Sequence, residues 1–78
     1  MPGRETCLSP RELDVVWLVV EGLGNQEIGD RLGVSRRTIH AHIANAMKKT
    51  KTRTRTELAV FALRAGIVPL QPPESIDD

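Results

Sequence analysis

The chain has 78 residues, which is enough for one small domain with one modest hydrophobic core. It contains one Trp, one Phe and no Tyr, so the core must be built from aliphatic side chains. The formal net charge of +1 does not by itself point to a nucleic-acid partner.

Cysteine usage and hydropathy exclude several classes of protein. The single cysteine, Cys7, can form no internal disulfide and lacks the spacing of a metal site. The longest apolar run, residues 15–20, is too short to span a bilayer, and no export signal precedes it. We therefore expect a soluble protein in a reducing cytoplasm, with no metal and no cofactor.

The small net charge hides a strong segregation of charge along the chain. Residues 1–30 hold two basic and six acidic residues, and residues 56–78 hold one basic and four acidic residues. Residues 31–55 hold eight basic residues and no acidic one. A basic segment of this kind is often only a solvated face, but here it coincides with a predicted helix flanked by turns.

The first helix has the clearest boundaries. Ser9 is a good N-cap, Pro10 suits the first helical position, and Glu12 completes a capping box. We predict that the helix continues to Glu21 and that Gly22 supplies its left-handed C-terminal cap.

Two apolar stripes run along this helix, and only one can face the centre of so small a domain. The second stripe is either covered by the other helices or forms an exposed patch that meets a partner domain or subunit. The first stripe consists of Val15, Val16 and Val19, and the second of Leu13, Trp17 and Val20.

A helix-turn-helix unit follows. Asn25 is predicted to cap a short helix over 26–32, and Gly33 to end it. Ser35 then caps a third helix over about 36–49. We interpret Gly29, inside the short helix, as the place where the third helix approaches closely. A short helix, a glycine turn and a longer helix are typical of helix-turn-helix units.

The third helix is amphipathic, with a buried aliphatic side and a basic outer side made largely of small residues. Such a helix is suited to the major groove of DNA. The inner side consists of Ile39, Ile43, Ala46 and Met47, and the outer side of Arg37, His40, Ala41, Ala44 and Lys48.

A fourth helix completes an all-α fold with four helices and no strand. Residues 50–53 are expected to break the third helix, and Thr54 with Glu57 forms a second capping box. The fourth helix is predicted to end at Gly66 and to direct Leu58, Phe61, Ala62 and Ala65 towards the core. We expect a flexible lead-in over 1–7, a domain over 8–70 and a disordered acidic tail over 71–78.

No arrangement of residues suggests catalysis, and we expect that the protein is not an enzyme. His40 and His42 are two residues apart on a helix, so they cannot share a metal ion as an i, i+4 pair can. There is no glycine-rich phosphate loop. For His42 we favour a structural role beside the core over contact with a base.

For DNA, the position of each residue on the third helix predicts its role. Arg37 is suited to donate to a guanine, His40 to donate or accept, and Ala41 and Ala44 to meet thymine methyl groups. Phosphate contacts are predicted at the start of the helix, where its dipole favours anions, and along the backbone that flanks its end. They are assigned to Ser35, Arg36, Thr38, Lys48, Lys49, Lys51 and Arg53.

The sequence resembles the LuxR-type (GerE-like) helix-turn-helix domain found at the C-terminus of NarL-class response regulators. The resemblance is carried, in order and at the right spacing, by LSPRE at 8–12, EGL at 21–23, NQEI at 25–28, VSRRTIHAHI at 34–43, RTELA at 55–59 and AGIV at 65–68. It implies a four-helix domain of the winged-helix-like superfamily without a wing. It also implies a third helix that reads the major groove and, in a longer chain, a preceding receiver domain.

By this resemblance, His40, Ala41 and Ala44 match the groove-facing positions of the family, and the fourth helix is the common site of dimerisation on DNA. The outward positions predicted for a dimer are Val60, Leu63 and Arg64. Thr50 and Thr52 stand where the family usually has apolar residues, which suggests a looser join between the last two helices.

The resulting prediction is sequence-specific binding of double-stranded DNA in transcriptional regulation, by a domain that is dimeric on DNA. One alternative is a promoter-recognition domain like those of sigma factors, although these lack a capped fourth helix. The other alternative is a protein-interaction module that kept the fold and lost DNA binding. The apolar stripe around Trp17 and the small base-facing set are the features that favour it.

Overall fold

A computed structural model describes residues 8–66, which form four α-helices and contain no strand. The helices are α1 (Pro10–Val20), α2 (Asn25–Leu32), α3 (Arg36–Thr50) and α4 (Arg55–Ala65). The predicted all-α class is confirmed. The predictions for residues 1–7 and 67–78, including the lead-in and the acidic tail, lie outside the described residues.

The capping box predicted for α1 is confirmed, and that predicted for α4 is confirmed in part. Ser9 Oγ accepts from the Glu12 backbone N–H at 3.1 Å, and the Glu12 carboxylate accepts from the Ser9 N–H at 3.0 Å. Thr54 Oγ1 likewise accepts from the Glu57 N–H at 3.0 Å. The Glu57 carboxylate, however, accepts from the Arg53 N–H at 2.8 Å, so the second half of the predicted capping box closes one residue early.

The prediction that Asn25 caps α2 is wrong. Gly24 is the N-cap, and its N–H donates to the Glu27 carboxylate at 3.0 Å. Asn25 is the first residue of the helix, and its Oδ1 instead accepts from Arg55 Nη1 at 2.6 Å. The partner is 30 residues away in sequence, so the local pattern around Asn25 gave no sign of it.

The end of α3 also differs from the prediction. The helix includes Thr50, and Lys51 forms the cap in the left-handed conformation with φ of 59°. Thr50 is only 8 % exposed, and its hydroxyl donates to the Ala46 carbonyl at 2.9 Å and lies 3.0 Å from Thr52 Oγ1. The two threonines are thus bonded to each other and to the end of α3. These bonds do not reach α4, so the looser join between α3 and α4 stays a prediction.

The core lies where α1 packs against both α3 and α4, with α2 packed mainly on α3. Its members are aliphatic, as the composition requires, and every helix contributes at least one. They are Val15, Val16, Leu18, Val19, Ile28, Ile39, Ile43, Ala46, Leu58 and Ala62. Among residues 8–66, no helix is long and apolar enough to cross a membrane.

The two stripes of α1 have different environments. Val15, Val16 and Val19 belong to the core, as does Leu18, which the stripe analysis did not include. The residues of the second stripe, Leu13, Trp17 and Val20, are half-buried and pack against the outside of the core. The second stripe is therefore neither fully covered nor fully exposed.

The turn between α2 and α3 depends on two glycines. Gly33 adopts φ of 74°, a left-handed conformation that glycine tolerates best, and the next N–H, that of Val34, bonds back to the Gly29 carbonyl at 3.0 Å. A Cβ on Gly29 would lie 2.6 Å from the Val34 carbonyl oxygen. The interpretation of Gly29 as a point of close approach is confirmed, and the element it touches is the turn that leads into α3.

Candidate nucleic-acid interface

The outer face of α3 is a continuous exposed surface. The face opposite it holds Ile39, Ile43 and Ala46, which are 0 %, 7 % and 0 % exposed, so the helix cannot rotate without losing core contacts. All four residues predicted to face bases are exposed, and so is Asn45, a polar residue that was not among them. The predicted set is Arg37, His40, Ala41 and Ala44.

The start of α3 is built to attract an anion. Ser35 Oγ accepts from the Thr38 N–H at 3.1 Å and donates to Thr38 Oγ1 at 3.0 Å, which fixes both hydroxyls beside the helix end. The first turn contains no acidic residue but holds the exposed Arg36 and Arg37. Cations at a helix N-terminus are unfavourable next to the positive end of the helix dipole, and a bound phosphate would relieve this repulsion.

A hollow of about 590 Å³ separates the start of α3 from the start of α2. His40 lines it together with Arg36 and Arg37, so its ring lies on the side of α3 that faces α2. Asn25 and Gln26 of α2 form the other wall. These two residues were not predicted as part of the site, because nothing local in the sequence indicates that the two helix starts lie together.

The four cations predicted as phosphate contacts at the end of α3 are all exposed: Lys48, Lys49, Lys51 and Arg53. Lys48 is on the outer face of α3, eleven residues after Arg37. Lys51 and Arg53 follow in the connection to α4. They extend the positive surface from the first turn of α3 past its end.

Lys49 lies in a different environment from its neighbours. Its Nζ contacts Glu12 Oε1 at 2.8 Å, and the Glu12 side chain is 7 % exposed while that of Lys49 is 37 % exposed. The structure therefore gives this predicted phosphate contact a structural partner on α1. Because Lys49 is bonded to Glu12, it is not proposed as a phosphate contact.

Glu12 is the most buried charged residue between positions 8 and 66, and its surroundings keep it ionised. Burial alone would raise the pKa of the carboxyl group. The hydrogen bonds from Lys49 and the Ser9 N–H, with the positive charges of Lys49 and His42, outweigh burial and lower the pKa below its ordinary value. The half-buried His42 thus lies in the electrostatic surroundings of Glu12, in agreement with the structural role favoured for it.

Two other cations of the basic segment also lie elsewhere than on α3. Arg55 Nη2 donates to the Leu23 carbonyl at 2.5 Å in addition to its bond to Asn25, so it joins α4 to the start of α2. Arg31 lines a cavity of about 260 Å³ with Trp17 and Glu21. Of the eight basic residues in 31–55, six are exposed on α3 or in its connection to α4, and one of these, Lys49, is bonded to Glu12. The six are Arg36, Arg37, Lys48, Lys49, Lys51 and Arg53.

The residues predicted for a dimer and for a partner patch have distinct environments. Val60 and Leu63, 40 % and 59 % exposed, are the two exposed large hydrophobic residues between positions 8 and 66, and Arg64 is exposed beside them. Val60 and Arg64 line an open, largely apolar groove on α4 of about 530 Å³. In the second stripe of α1, Trp17 Nε1 is buried and finds no hydrogen-bond partner in the described part of the chain.

Comparison with known proteins places the chain in a family. Residues 6–62 match the family described as bacterial regulatory proteins, luxR family. Transcriptional regulatory protein LiaR of Bacillus subtilis is 39 % identical over 61 residues, which is 78 % of this chain and 29 % of that protein. Oxygen regulatory protein NreC of Staphylococcus carnosus is 40 % identical over 61 residues, which is 78 % of this chain and 28 % of that protein.

A third relative, probable transcriptional regulator ycf29 of Cyanophora paradoxa, is 42 % identical over 60 residues, covering 77 % of this chain and 29 % of that protein. The chain thus spans less than a third of the length of these relatives. The matched residues include all of α1, α2 and α3, and they identify a luxR-family domain and not the sigma-factor domain considered as an alternative. The chain belongs to the luxR family of bacterial regulatory proteins, as a helix-turn-helix domain that binds DNA in the regulation of transcription.

Proposed function

We propose that α3 enters the major groove of double-stranded DNA with its outer face towards the base edges. The observation that carries this proposal is the exposed face itself, since six exposed cations and no acid lie on α3 and in its connection to α4. In this arrangement Arg37 donates to a guanine, His40 contacts the edge of the site, and Ala41 and Ala44 lie against thymine methyl groups. Binding and positioning of DNA is the whole of the proposed activity, without catalysis.

The phosphate contacts proposed are those that the fold leaves accessible. Ser35, Arg36 and Thr38 meet one phosphate at the start of α3, where the helix dipole adds to their effect. Lys48, Lys51 and Arg53 follow the backbone at the other end of the helix. These contacts fix the position of α3 in the groove but do not distinguish one sequence from another.

Salt titration of binding to random duplex DNA tests the proposed surface. The logarithm of the affinity should fall with the logarithm of salt concentration with a slope of about −4 if four cations neutralise phosphates. Arg36→Gln should make the slope shallower by about 1. Arg31→Gln is the matched control, because it removes the same charge from a residue that lies beside Trp17 and Glu21.

Two outcomes would count against the surface. An equal effect of Arg31→Gln and Arg36→Gln would mean that net charge alone drives binding, whatever face of the domain carries it. Absence of binding even at low salt would favour the alternative of an interaction module that has kept only the fold.

The domain is further proposed to occupy inverted half-sites as a dimer, joined through the outer face of α4. Support comes from Val60 and Leu63, which expose apolar surface next to the groove lined by Phe61 and Arg64. Two copies related by a two-fold axis bring the same face together, in keeping with a palindromic site. A single helix face is small, so we expect monomers at micromolar concentration without DNA.

The dimer is tested by the cooperativity of binding to a DNA duplex that carries two inverted half-sites. Val60→Asp places a charge at the centre of the apolar contact and should remove cooperativity without changing affinity for a single half-site. Val60→Thr is the matched control, since it keeps the branched shape without a charge. Unchanged cooperativity in Val60→Asp would remove α4 from the proposed interface.

Within a longer chain, the proposed arrangement is that of a bacterial response regulator in the cytoplasm, with a receiver domain before this one. The relatives support a longer chain, because more than two thirds of the length of each lies outside the matched region. The half-buried stripe of Leu13, Trp17 and Val20 is the surface proposed to meet such a partner domain.

A further inference from the structure

Asn45 lies on the exposed face of α3. It follows Ala41 by four residues and Arg37 by eight, so at 3.6 residues per turn the three share one side of the helix. Ile43, two positions before it, and Ala46, one position after it, point into the core and are 7 % and 0 % exposed. The packing of α3 therefore fixes the direction in which Asn45 projects.

The fold gives no reason for an asparagine at this position. Asn45 is exposed, and its side chain makes no hydrogen bond to any residue within 8–66. Asparagine is also a weak helix former, because its amide competes for backbone hydrogen bonds. It lies inside α3, more than one turn from either end of Arg36–Thr50, so it does not serve as a cap.

The chemistry of the amide suggests what Asn45 could contact. Its oxygen accepts and its nitrogen donates, and this pair of groups matches the N6 and N7 edge of adenine in the major groove. Ala41 and Ala44 flank it with single methyl groups, which allow the helix to come close to the floor of the groove. A longer neighbour at either position would hold the short Asn45 side chain away from a base edge.

The spacing to Arg37 gives the contact a place in the DNA site. Eight residues span about 12 Å along a helix axis at 1.5 Å per residue. Successive base pairs are about 3.4 Å apart, so this distance corresponds to roughly three or four base-pair steps for a helix lying along the groove. Ala41 lies between the two and faces the intervening pairs.

We propose that Asn45 is a further specificity-determining residue, which reads an adenine three to four base pairs from the guanine contacted by Arg37. The inference rests on the proposed function, since it requires α3 in the major groove. The contact would require an A·T pair in each half-site. It would also add a polar base contact to the predicted base-facing residues, two of which are alanines.

Selection of bound duplexes from a random pool tests this inference, using the full 78-residue chain. The wild type should select an adenine at a fixed distance from a guanine, and Asn45→Ala should lose that preference while keeping the guanine. On synthetic duplexes, discrimination against the substituted base pair should fall by about 5- to 150-fold, the range expected for one bidentate contact. Asn45→Gln is the conservative control and should retain the adenine, because glutamine carries the same amide.

The outcomes separate this inference from the proposed function. An Asn45→Ala variant that selects the same sequences as the wild type would overturn the inference and leave α3 in the groove. A variant that binds all sequences more weakly by one factor would assign Asn45 to a phosphate and also overturn it. A wild type that selects no sequence would remove the proposed function and this inference with it. Thermal unfolding should show no loss of stability in either variant, since Asn45 is exposed and both alanine and glutamine are better helix formers than asparagine.

Discussion

Replacing Gly29 with valine is expected to lower the free energy of unfolding by about 2 to 3 kcal/mol, the cost of overpacking a site that cannot relax. Gly29 is buried, and any Cβ there would lie 2.6 Å from the Val34 carbonyl oxygen and 3.5 Å from the Arg36 nitrogen. These are backbone atoms of the turn and of the first residue of α3. They cannot move aside without displacing the start of the helix that faces DNA.

The measurement is chemical and thermal unfolding followed by circular dichroism. A loss of 2 kcal/mol corresponds to a fall of about 8 to 16 °C in the unfolding midpoint for a domain of this size. Asp30→Val is the matched control, because it adds the same branched side chain to α2 at an exposed position. Similar midpoints for the two variants would show that the turn tolerates a side chain at Gly29.

If the variant still folds, the displaced start of α3 should also weaken DNA binding. The Val34–Arg36 backbone orients Ser35 and the first turn of α3, so a shift there moves the proposed phosphate contact. We expect Gly29→Val to bind random duplex DNA more weakly than the wild type, which has the same charge, at a temperature where both are folded.

The features that could be predicted from sequence are those decided by a few consecutive residues. Ser9 and Glu12 are three positions apart and make the reciprocal bonds that their spacing predicts. Gly33 ends α2 in the left-handed conformation, and Ser35 caps α3. Because such signals act within one helical turn, they identified four helices and the helix-turn-helix unit without knowledge of the tertiary fold.

The features that were missed are those decided by residues far apart in sequence. Arg55 reaches Asn25 over 30 positions, and this contact, not a cap, explains the asparagine. Lys49 bonds to Glu12, 37 positions away, whereas its neighbour Lys48 lies on the outer face of α3. Nothing in the local sequence distinguishes the two lysines. Asn45 differs from these residues, because its omission was not caused by a distant contact. Its position on the helix relative to Arg37 could be deduced from the sequence once the buried face of α3 was known.

Glu12→Gln is expected to lower the free energy of unfolding at neutral pH by about 1 to 2 kcal/mol, because the substitution replaces charge-assisted hydrogen bonds with neutral ones. The loss is smaller than for a fully buried pair, since the Lys49 side chain is 37 % exposed and is partly screened by water. The carboxylate also accepts from the Ser9 N–H, a bond that the amide oxygen of glutamine can keep. Removing the whole side chain in Glu12→Ala should therefore cost more, about 2 to 3 kcal/mol.

The pH dependence of this difference has a definite sign. The pKa of Glu12 is lowered in the folded protein, so unfolding at low pH takes up a proton that the folded state does not bind. Its contribution to stability is fully present above the unfolded pKa of about 4.3 and is lost as pH falls through the lower folded pKa. The difference in unfolding free energy between wild type and Glu12→Gln should therefore be fully present above about pH 5 and shrink below about pH 4.

Urea unfolding of both proteins across this range measures the gap directly, so that other carboxyl groups, which titrate in both, cancel. Glu21→Gln is the control, as it neutralises an exposed acid just beyond α1 and should change stability by less than about 0.5 kcal/mol. A gap that persists unchanged down to pH 3 would mean that the charge of Glu12 contributes nothing, and that only its shape and hydrogen bonds matter.

Adjacent lysines extend the same argument to function. Lys49→Gln leaves Glu12 without its 2.8 Å partner and should destabilise the domain, with little change in the salt dependence of DNA binding. Lys48→Gln, one position earlier on the exposed face, should do the reverse and make the salt slope shallower by about 1. If Lys49→Gln instead lowered the slope as much as Lys48→Gln, Lys49 would have to exchange Glu12 for a phosphate on binding. The contact between α1 and α3 would then open when DNA binds.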